Sequence, residues 1–559
     1  MPTDQETLLV QLKKACDAGH WPQAELWLRK LEQINYKHPW THFGRGYFLL
    51  RRGQLAAARA SFAQALAEDP GFREASHKLA LIDVQLGQYL QAAGDFEALL
   101  QQQPFDLVAL QELCGLLQLT GQHAAFQTLG QVLLDPAWIQ QPGFLRQPPG
   151  PRQAFVDWLP QLEARLLLST FGADGADPLR MLPLLRHWQR HLDKRRPLSP
   201  AYANSRVPGR RLRIGYVSRE WGAEPLELGF GMLFARHDPE RYELLAYCDQ
   251  GQPARPQHFA KVQASADWDD FRFYSQIQAD GIDILVDLSG FFNSARLLSL
   301  ALKPAPVQIL AGANPPFVTG LPCFDAVFSD RILIPPAIAA HYPERFCYHA
   351  SFFHWMPPAT SPDPGPFADP PRLGALAAPH KLSDGTLRLW AGVLTALPTA
   401  RLKLKHQTLS DTQLTERIRQ RFQVQGGDPS RLDFEDNNQS SDYFSFFQSI
   451  DLLLDTHPYA GALSSCDALW MGVPVISLSG GQRIADALLG HLGLEAFLAQ
   501  SPQDFVRIAH ELWSDPLQLA HWRQILRARL QASPLCDGPR QAAEAEADYQ
   551  NLWQDWLGL

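Results

Sequence analysis

The chain has few of the marks by which a sequence declares metal, redox or membrane chemistry. Its seven cysteines, at positions 16, 114, 248, 323, 347, 466 and 536 of 559, form no CxxC pair and are odd in number. That spacing argues against a disulfide framework or a zinc site and suits a reducing compartment. No run of 18 apolar residues occurs, and "MPTDQETLLVQLKKACDAGH" holds no uninterrupted apolar core of a secretory signal. No membrane partner is expected, and a soluble, cytoplasmic protein is. Positive charge is not in excess either. The formal net charge of -8 gives no electrostatic case for a nucleic-acid partner. GxGxxG, GxxxxGK[ST] and HExxH are all missing, which removes the main supports for a dehydrogenase, a P-loop enzyme or a zinc protease. Low charge is not low order: hydrophobic residues make up 46% and charged ones 19%, a globular balance. The length exceeds one hydrophobic core and predicts three or four domains.

What is present begins with a period. Gly19, Gly53, Gly87 and Gly121 lie 34 residues apart, and Ala24, Ala58 and Ala92 keep the same step. Phe62 with Phe96 and Pro70 with Pro104 repeat it again. Within "GRGYFLLRRGQLAAARASFAQALAEDP", Gly46, Gly53, Ala58 and Ala65 let two antiparallel helices approach. Phe62 fills the gap between units, and Pro70 stops the second helix. The pattern resembles the tetratricopeptide repeat over residues 1–135, a superhelix that binds protein or peptide and carries no chemistry. A helical, proline-interrupted connector, 136–204, follows.

From Arg211 the period changes. "RLRIGYVS", "YELLAYC", "DILVDLSG", "PVQIL" and "DAVFSD" are short β-branched runs separated by helix-length segments, the mark of parallel strands with crossovers. After "PPATSPDPGPFADPP" a second series follows: "ARLKLK", "RLDF", "IDLLLD" and "PVISL". The expected architecture is α + α/β. An N-terminal α-superhelix precedes two Rossmann-like halves, 205–356 and 372–535, with a ligand cleft at the carboxyl ends of both sheets. A C-terminal helix in 536–559, with Leu552, Trp553 and Trp556 as a packing stripe, is placed to brace the first half.

Taken in order, "LRIGYVS", "HDPERYELLAYC", "DGIDILVDLSG", "KPAPVQ", "KLSDGTLRLWAGVLTALPTARLKLK", "IDLLLDTHPYAG" and "CDALWMGVPVISL" resemble segments of one family. It is the O-linked N-acetylglucosamine transferase family, glycosyltransferase family 41, with its SPINDLY-like and bacterial members. The resemblance covers roughly residues 205–535 and the repeats. It implies a GT-B fold and inverting transfer from a nucleotide sugar, UDP-GlcNAc-like, to a protein side chain, with no metal and no cofactor. The acceptor protein would be held by the repeats, and a homodimer is possible.

The resemblance also distributes roles. Gly461 with Ser464 and Ser465, at the start of a helix, would face the diphosphate with free N–H groups and hydroxyls. Asp467 would accept from the ribose hydroxyls, although serines and an aspartate there also suit plain helix capping. Lys381 aligns with the lysine that meets the β-phosphate and stabilises the leaving diphosphate. Tyr443 stands where the family has a histidine on the nucleotide side. Asp287, Ser289, Gly312 and Lys405 have cleft addresses suited to the acceptor or the sugar. For Asp287, capping of the next helix is the competing role.

The chain departs from the family in the cleft. Glu224 stands near a histidine usual in the loop after "GYVS", Phe291 stands for another, and Ala462 and Leu463 replace residues before the serine pair. Glu224 is then the candidate general base. The alternative is a catalytically degenerate paralogue, a repeat-bearing interaction scaffold.

Overall fold

The computed structural model describes residues 4–171, 186 and 201–559, save 291–295, 312–319, 352, 359, 366–367, 369 and 437–442. Within these the chain forms two compact units, one of residues 1–157 with 407–418 and one of 158–406 with 419–559.

The first unit is built from helix pairs: α1 (Asp4–Asp17) with α2 (Trp21–Ile34), α3 (Pro39–Arg51) with α4 (Leu55–Glu68), α5 (Arg73–Gln85) with α6 (Tyr89–Gln102), and α7 (Leu107–Leu119) with α8 (His123–Leu134). Gly19, Gly53, Gly87 and Gly121 sit in the turn inside each pair at φ of 69 to 75°, a left-handed geometry that favours glycine. This corrects the role expected of Gly53. Nothing lies within 4 Å of a Cβ there, so it turns the chain rather than admitting a neighbour. Gly46 is the true close approach, since its Cβ would stand 2.9 Å from the Phe62 ring. Ala24, Ala58, Ala92, Phe62 and Phe96 are fully buried. One segment distant in sequence completes this unit. Asp411 caps the helix Thr412–Val424 by accepting from Gln413 N and Leu414 N, and its other oxygen accepts from Leu90 N at the start of α6, 3.0 Å away. The segment lies within 372–535, the range expected from sequence for the last α/β half.

The second unit holds two parallel sheets. The first contains β1 (Leu212–Ser218), β2 (Tyr242–Cys248), β3 (Lys261–Ala264), β4 (Ile284–Asp287), β5 (Val307–Leu310), β6 (Ala326–Ser329) and β7 (Arg345–Tyr348), in the order β3-β2-β1-β4-β5-β6-β7. The second contains β8 (Leu373–Leu376), β9 (Leu402–Lys405), β10 (Leu432–Glu435), β11 (Leu452–Leu454), β12 (Val475–Leu478) and β13 (Leu498–Ala499), in the order β10-β9-β8-β11-β12-β13. Both orders reverse between their first and fourth strands, and the crevice at such a reversal is where ligands settle in open α/β sheets. The architecture is the repeat superhelix followed by a GT-B pair. Continuous apolar runs such as "ILVD", buried at all four positions, reflect sheets covered on both faces.

Strand β8 escaped the sequence reading. It follows the proline-rich linker directly and carries Gly374, whose Cβ would stand 2.6 Å from Ile450. A glycine that reads as a turn is here a close approach inside a central strand. The helix Gly538–Leu557 does return to the first sheet, where Ala542, Ala545, Tyr549, Leu552 and Trp553 join the core of Tyr216, Phe234 and Phe328. The Tyr549 hydroxyl lies 2.8 Å from that of Tyr216, which is 2.6 Å from His237 Nε2.

Candidate functional site

A buried aspartate ends the fourth strand of the first sheet and follows the fourth strand of the second. In the second sheet the chain leaves β11 at Asp455, loops through Tyr459 and Gly461, and enters the helix Leu463–Trp470. The N-cap residue, Ala462, has no side chain able to cap. Asp455 holds the loop in place of a cap. Its Oδ1 accepts from Thr456 N and Gly461 N, both at 2.8 Å, and its Oδ2 accepts from the Ser477 hydroxyl at 2.7 Å. Burial raises its pKa, opposed by these bonds and by the Lys381 charge.

Gly461 is required by what stands over it. A Cβ there would lie 2.5 Å from Ser465 Oγ and 2.9 Å from Ser464 Oγ, so both hydroxyls converge on the bare glycine. Ser465 Oγ is buried and has no hydrogen-bond partner among the described residues. A buried orphan hydroxyl is costly unless something else satisfies it.

Lys381 reaches the same loop from the short turn Pro379–Lys381 before the helix Asp384–Ala396. Its Nζ lies 3.4 Å from Ala460 O and 4.1 Å from the centroid of the Tyr459 ring. Desolvation lowers its pKa to about 8, with Asp455 acting in the opposite sense. His406, just past β9, is lowered to about 4 by burial and by the Lys381 charge. Tyr459 is pushed up to about 12 by burial and then by Glu220, from the loop after β1.

The other expected residues divide. Asp467 and Tyr443 are brought together: the Tyr443 hydroxyl donates to Asp467 Oδ2 at 2.8 Å, while Trp355 Nε1 donates to Oδ1 at 3.1 Å. Lys405 ends β9 inside an ion pair with Glu435, 2.9 Å away. Asp287 ends β4 and accepts from Ser289 N and Gly290 N, each at 3.0 Å; burial raises its pKa to about 7. It turns its own loop, and the next described helix, Leu297–Ala301, has Arg296 and not Asp287 at its N-cap position. Ser289 Oγ accepts from Arg219 N at 3.2 Å and lies 3.3 Å from Ser218 Oγ. Glu224 opens the helix Glu224–Arg236, but its side chain lies outside the described residues, as do Gly312 and Phe291.

Sequence reasoning missed Tyr459, His406, Asp455, Glu220 and Trp355 as members of this site. Asp455 and His406 could have been found as polar residues at strand ends; Trp355 is 112 positions from its partner and left no local signal. A cavity of about 760 Å³ opens elsewhere in this half, beside the helix Asp384–Ala396, walled by Arg388, Gly392, Gln425 and Val506. His457 lines it, whereas Lys381, Ser464, Ser465 and Asp467 do not. Among the described residues no cluster of three metal-ligating side chains occurs, and no helix is long and apolar enough to cross a membrane.

The model of glycosyl transferase family 41 matches residues 190–355 and 376–544. A probable UDP-N-acetylglucosamine–peptide N-acetylglucosaminyltransferase SPINDLY of Solanum lycopersicum is 30% identical over 411 residues, covering 70% of this chain and 44% of that protein. The corresponding SEC protein of Arabidopsis thaliana is 27% identical over 371 residues, covering 62% of this chain and 37% of that one. The chain thus spans less than half the length of these curated relatives. Among solved structures, a mutant of the Thermobaculum terrenum O-GlcNAc transferase superposes with a TM-score of 0.80 at 26% identity, over 100% of this chain and 99% of that one.

Proposed function

The chain belongs to glycosyl transferase family 41, and from that premise we propose that it moves a sugar from a nucleotide diphosphate sugar, UDP-GlcNAc-like, to a protein side chain. In this reading the donor's diphosphate rests against the start of the helix Leu463–Trp470. There the unfilled cap, the orphan Ser465 hydroxyl, the Ser464 hydroxyl and the positive end of the helix dipole converge. The acceptor hydroxyl attacks the anomeric carbon, the bond from that carbon to the diphosphate oxygen breaks, and the configuration inverts. The negative charge arriving on the leaving group is met by Lys381 in a partly dehydrated site, where such attraction is strong. The reading calls on no metal for this task.

Asp467 and Tyr443 take the nucleoside side, with ribose hydroxyls replacing the Tyr443 hydroxyl on Asp467. On the acceptor side, Glu224 is the general base of this reading, with Asp287 and Ser289 close to the same crevice. The repeats hold the acceptor protein along their superhelix.

One observation supports the proposal above the rest: a half-buried ammonium and a buried unpartnered hydroxyl both address the loop that enters an uncapped helix. The test is incubation with UDP-GlcNAc, UDP-glucose and GDP-fucose, with and without protein acceptors, while measuring sugar release and transfer. Turnover with one donor, lost in Lys381→Ala, is expected. UDP binding without turnover of any donor would point to a degenerate paralogue. Failure to bind any nucleotide would leave the repeats as a scaffold.

A further inference from the structure

Resting on the donor-site reading, we infer that Tyr459 is a positioning residue: its ring face holds the Lys381 ammonium in place at the entry to the helix Leu463–Trp470 without neutralising it.

Within the second unit, the other enclosed lysines of the described residues each meet a carboxylate. Lys405 and Lys403 both face Glu435, at 2.9 and 3.6 Å, and Lys303 pairs with Asp325. In each case the charge is compensated by a carboxylate in contact. Lys381 forms no ion pair among the described residues. Its neighbours are one backbone carbonyl at a long 3.4 Å and an aromatic face at 4.1 Å. The negative face of a ring attracts a cation, and more strongly as water is removed. Unlike a carboxylate, it carries no net charge and does not compete for the ammonium's partners. The ammonium therefore stays available to an incoming dianion, and the ring fixes where it waits.

The groups facing this pair come from every side of the crevice. Asp455 supports the ammonium from the end of β11, and its oxygens are already spent on Thr456, Gly461 and Ser477. His406 approaches from the end of β9 and is held neutral. His380 packs its ring 6.1 Å from that of Tyr459, and Glu220 acts on the Tyr459 phenol from the opposite half. Of these, only Tyr459 touches the ammonium with a face, and its own backbone is pinned by Thr456 Oγ1, which donates to Tyr459 O at 2.6 Å.

The test follows Lys381 in the intact chain by two routes. Acetic anhydride labelling of Lys381 is read by mass spectrometry against pH, and UDP binding is titrated calorimetrically over the same range. Removing a contact of roughly 1.4 kcal/mol shifts a lysine midpoint by about one pH unit. Tyr459→Leu is therefore expected to label with its midpoint about one unit lower and to bind UDP about fivefold more weakly at pH 8. Near pH 6 that difference shrinks, because the amine is protonated in both proteins. Tyr459→Phe keeps the ring and restores the wild-type midpoint. Tyr459→Met, similar in bulk but without a ring, serves if the leucine variant melts early, and is expected to follow it. Equal labelling midpoints in wild type, leucine and methionine variants would overturn the inference. So would a loss of UDP affinity equal at every pH, the signature of a merely structural role. If the wild type binds no UDP, the donor-site reading fails, while the labelling midpoints still decide what Tyr459 does.

Discussion

The two α/β halves are built on one strand order and differ in what they do with the same position. Asp287 ends the fourth strand of the first sheet, and Asp455 follows the fourth strand of the second. Both are buried, and both carboxyls are pushed upward by desolvation. Asp287 spends its oxygens on its own loop and has Asp249 as the charge that acts on it. Asp455 also ties its own loop, but a cation stands opposite. Around Asp287 the polar groups close on one another: Ser289 with Ser218 and Arg219 N, and Asp249 in a buried pair with Arg296. Around Asp455 they are left open: among the described residues the Ser465 hydroxyl has no partner, and Lys381 has no carboxylate in contact. Satisfied polar groups hold a fold together, whereas unsatisfied ones wait for a ligand.

Removing the open cation is the strongest way to break that contrast. Lys381→Ala is expected to lower sugar transfer or donor hydrolysis between a hundredfold and a thousandfold, measured by UDP release. Its thermal stability should hold, since among the described residues the lysine forms no ion pair.

The closed half should answer to pH instead. The Asp287 pKa is raised to about 7 from an ordinary 3.8, so the folded chain keeps a proton that the unfolded chain loses between those values. Stability therefore falls as pH rises from about 4 to 7, by roughly 4 kcal/mol for this group, and is flat on either side. Urea unfolding against pH is expected to show that slope in wild type and to lose it in Asp287→Asn.

Asp455→Asn sharpens the contrast at the matched position. It keeps one acceptor for the loop but withdraws the charge that supports Lys381. UDP affinity at pH 8 should drop roughly tenfold, with a smaller deficit at pH 6. The serines give the finest test. Ser465→Ala removes a hydroxyl with no partner, so stability should stay within about 0.5 kcal/mol while UDP binding weakens several-fold. Ser289→Ala should do the reverse, costing about 1 kcal/mol of stability and leaving UDP binding alone.

Much of this was legible before any coordinates. The 34-residue step of Gly19, Gly53, Gly87 and Gly121 marked the repeats, because a left-handed turn must recur wherever a helix pair does. Runs such as "RLRIGYVS" and "IDLLLD" marked buried strands, because covered sheets are apolar throughout. Lys381, Gly461 and the serine pair were reached through ordered motifs, and they do converge on one loop. Strand β8 was missed because its glycine and flanking prolines look like a linker until Ile450 is laid across it. The pairing of Asp467 with Trp355 and Tyr443 has no local trace.

Local pattern alone determined the repeat superhelix, most strands of both sheets and the small-residue entry to one helix. Each depends on neighbours a few residues apart, which period and propensity record. Which aspartate faces a cation, which serine is left without a partner, and which ring carries the lysine were decided only by the fold. Those relations join Lys381 to Ala460 across 79 positions and Trp355 to Asp467 across 112. Their energies depend on burial and on charges arriving from several strands at once, and no single segment contains either.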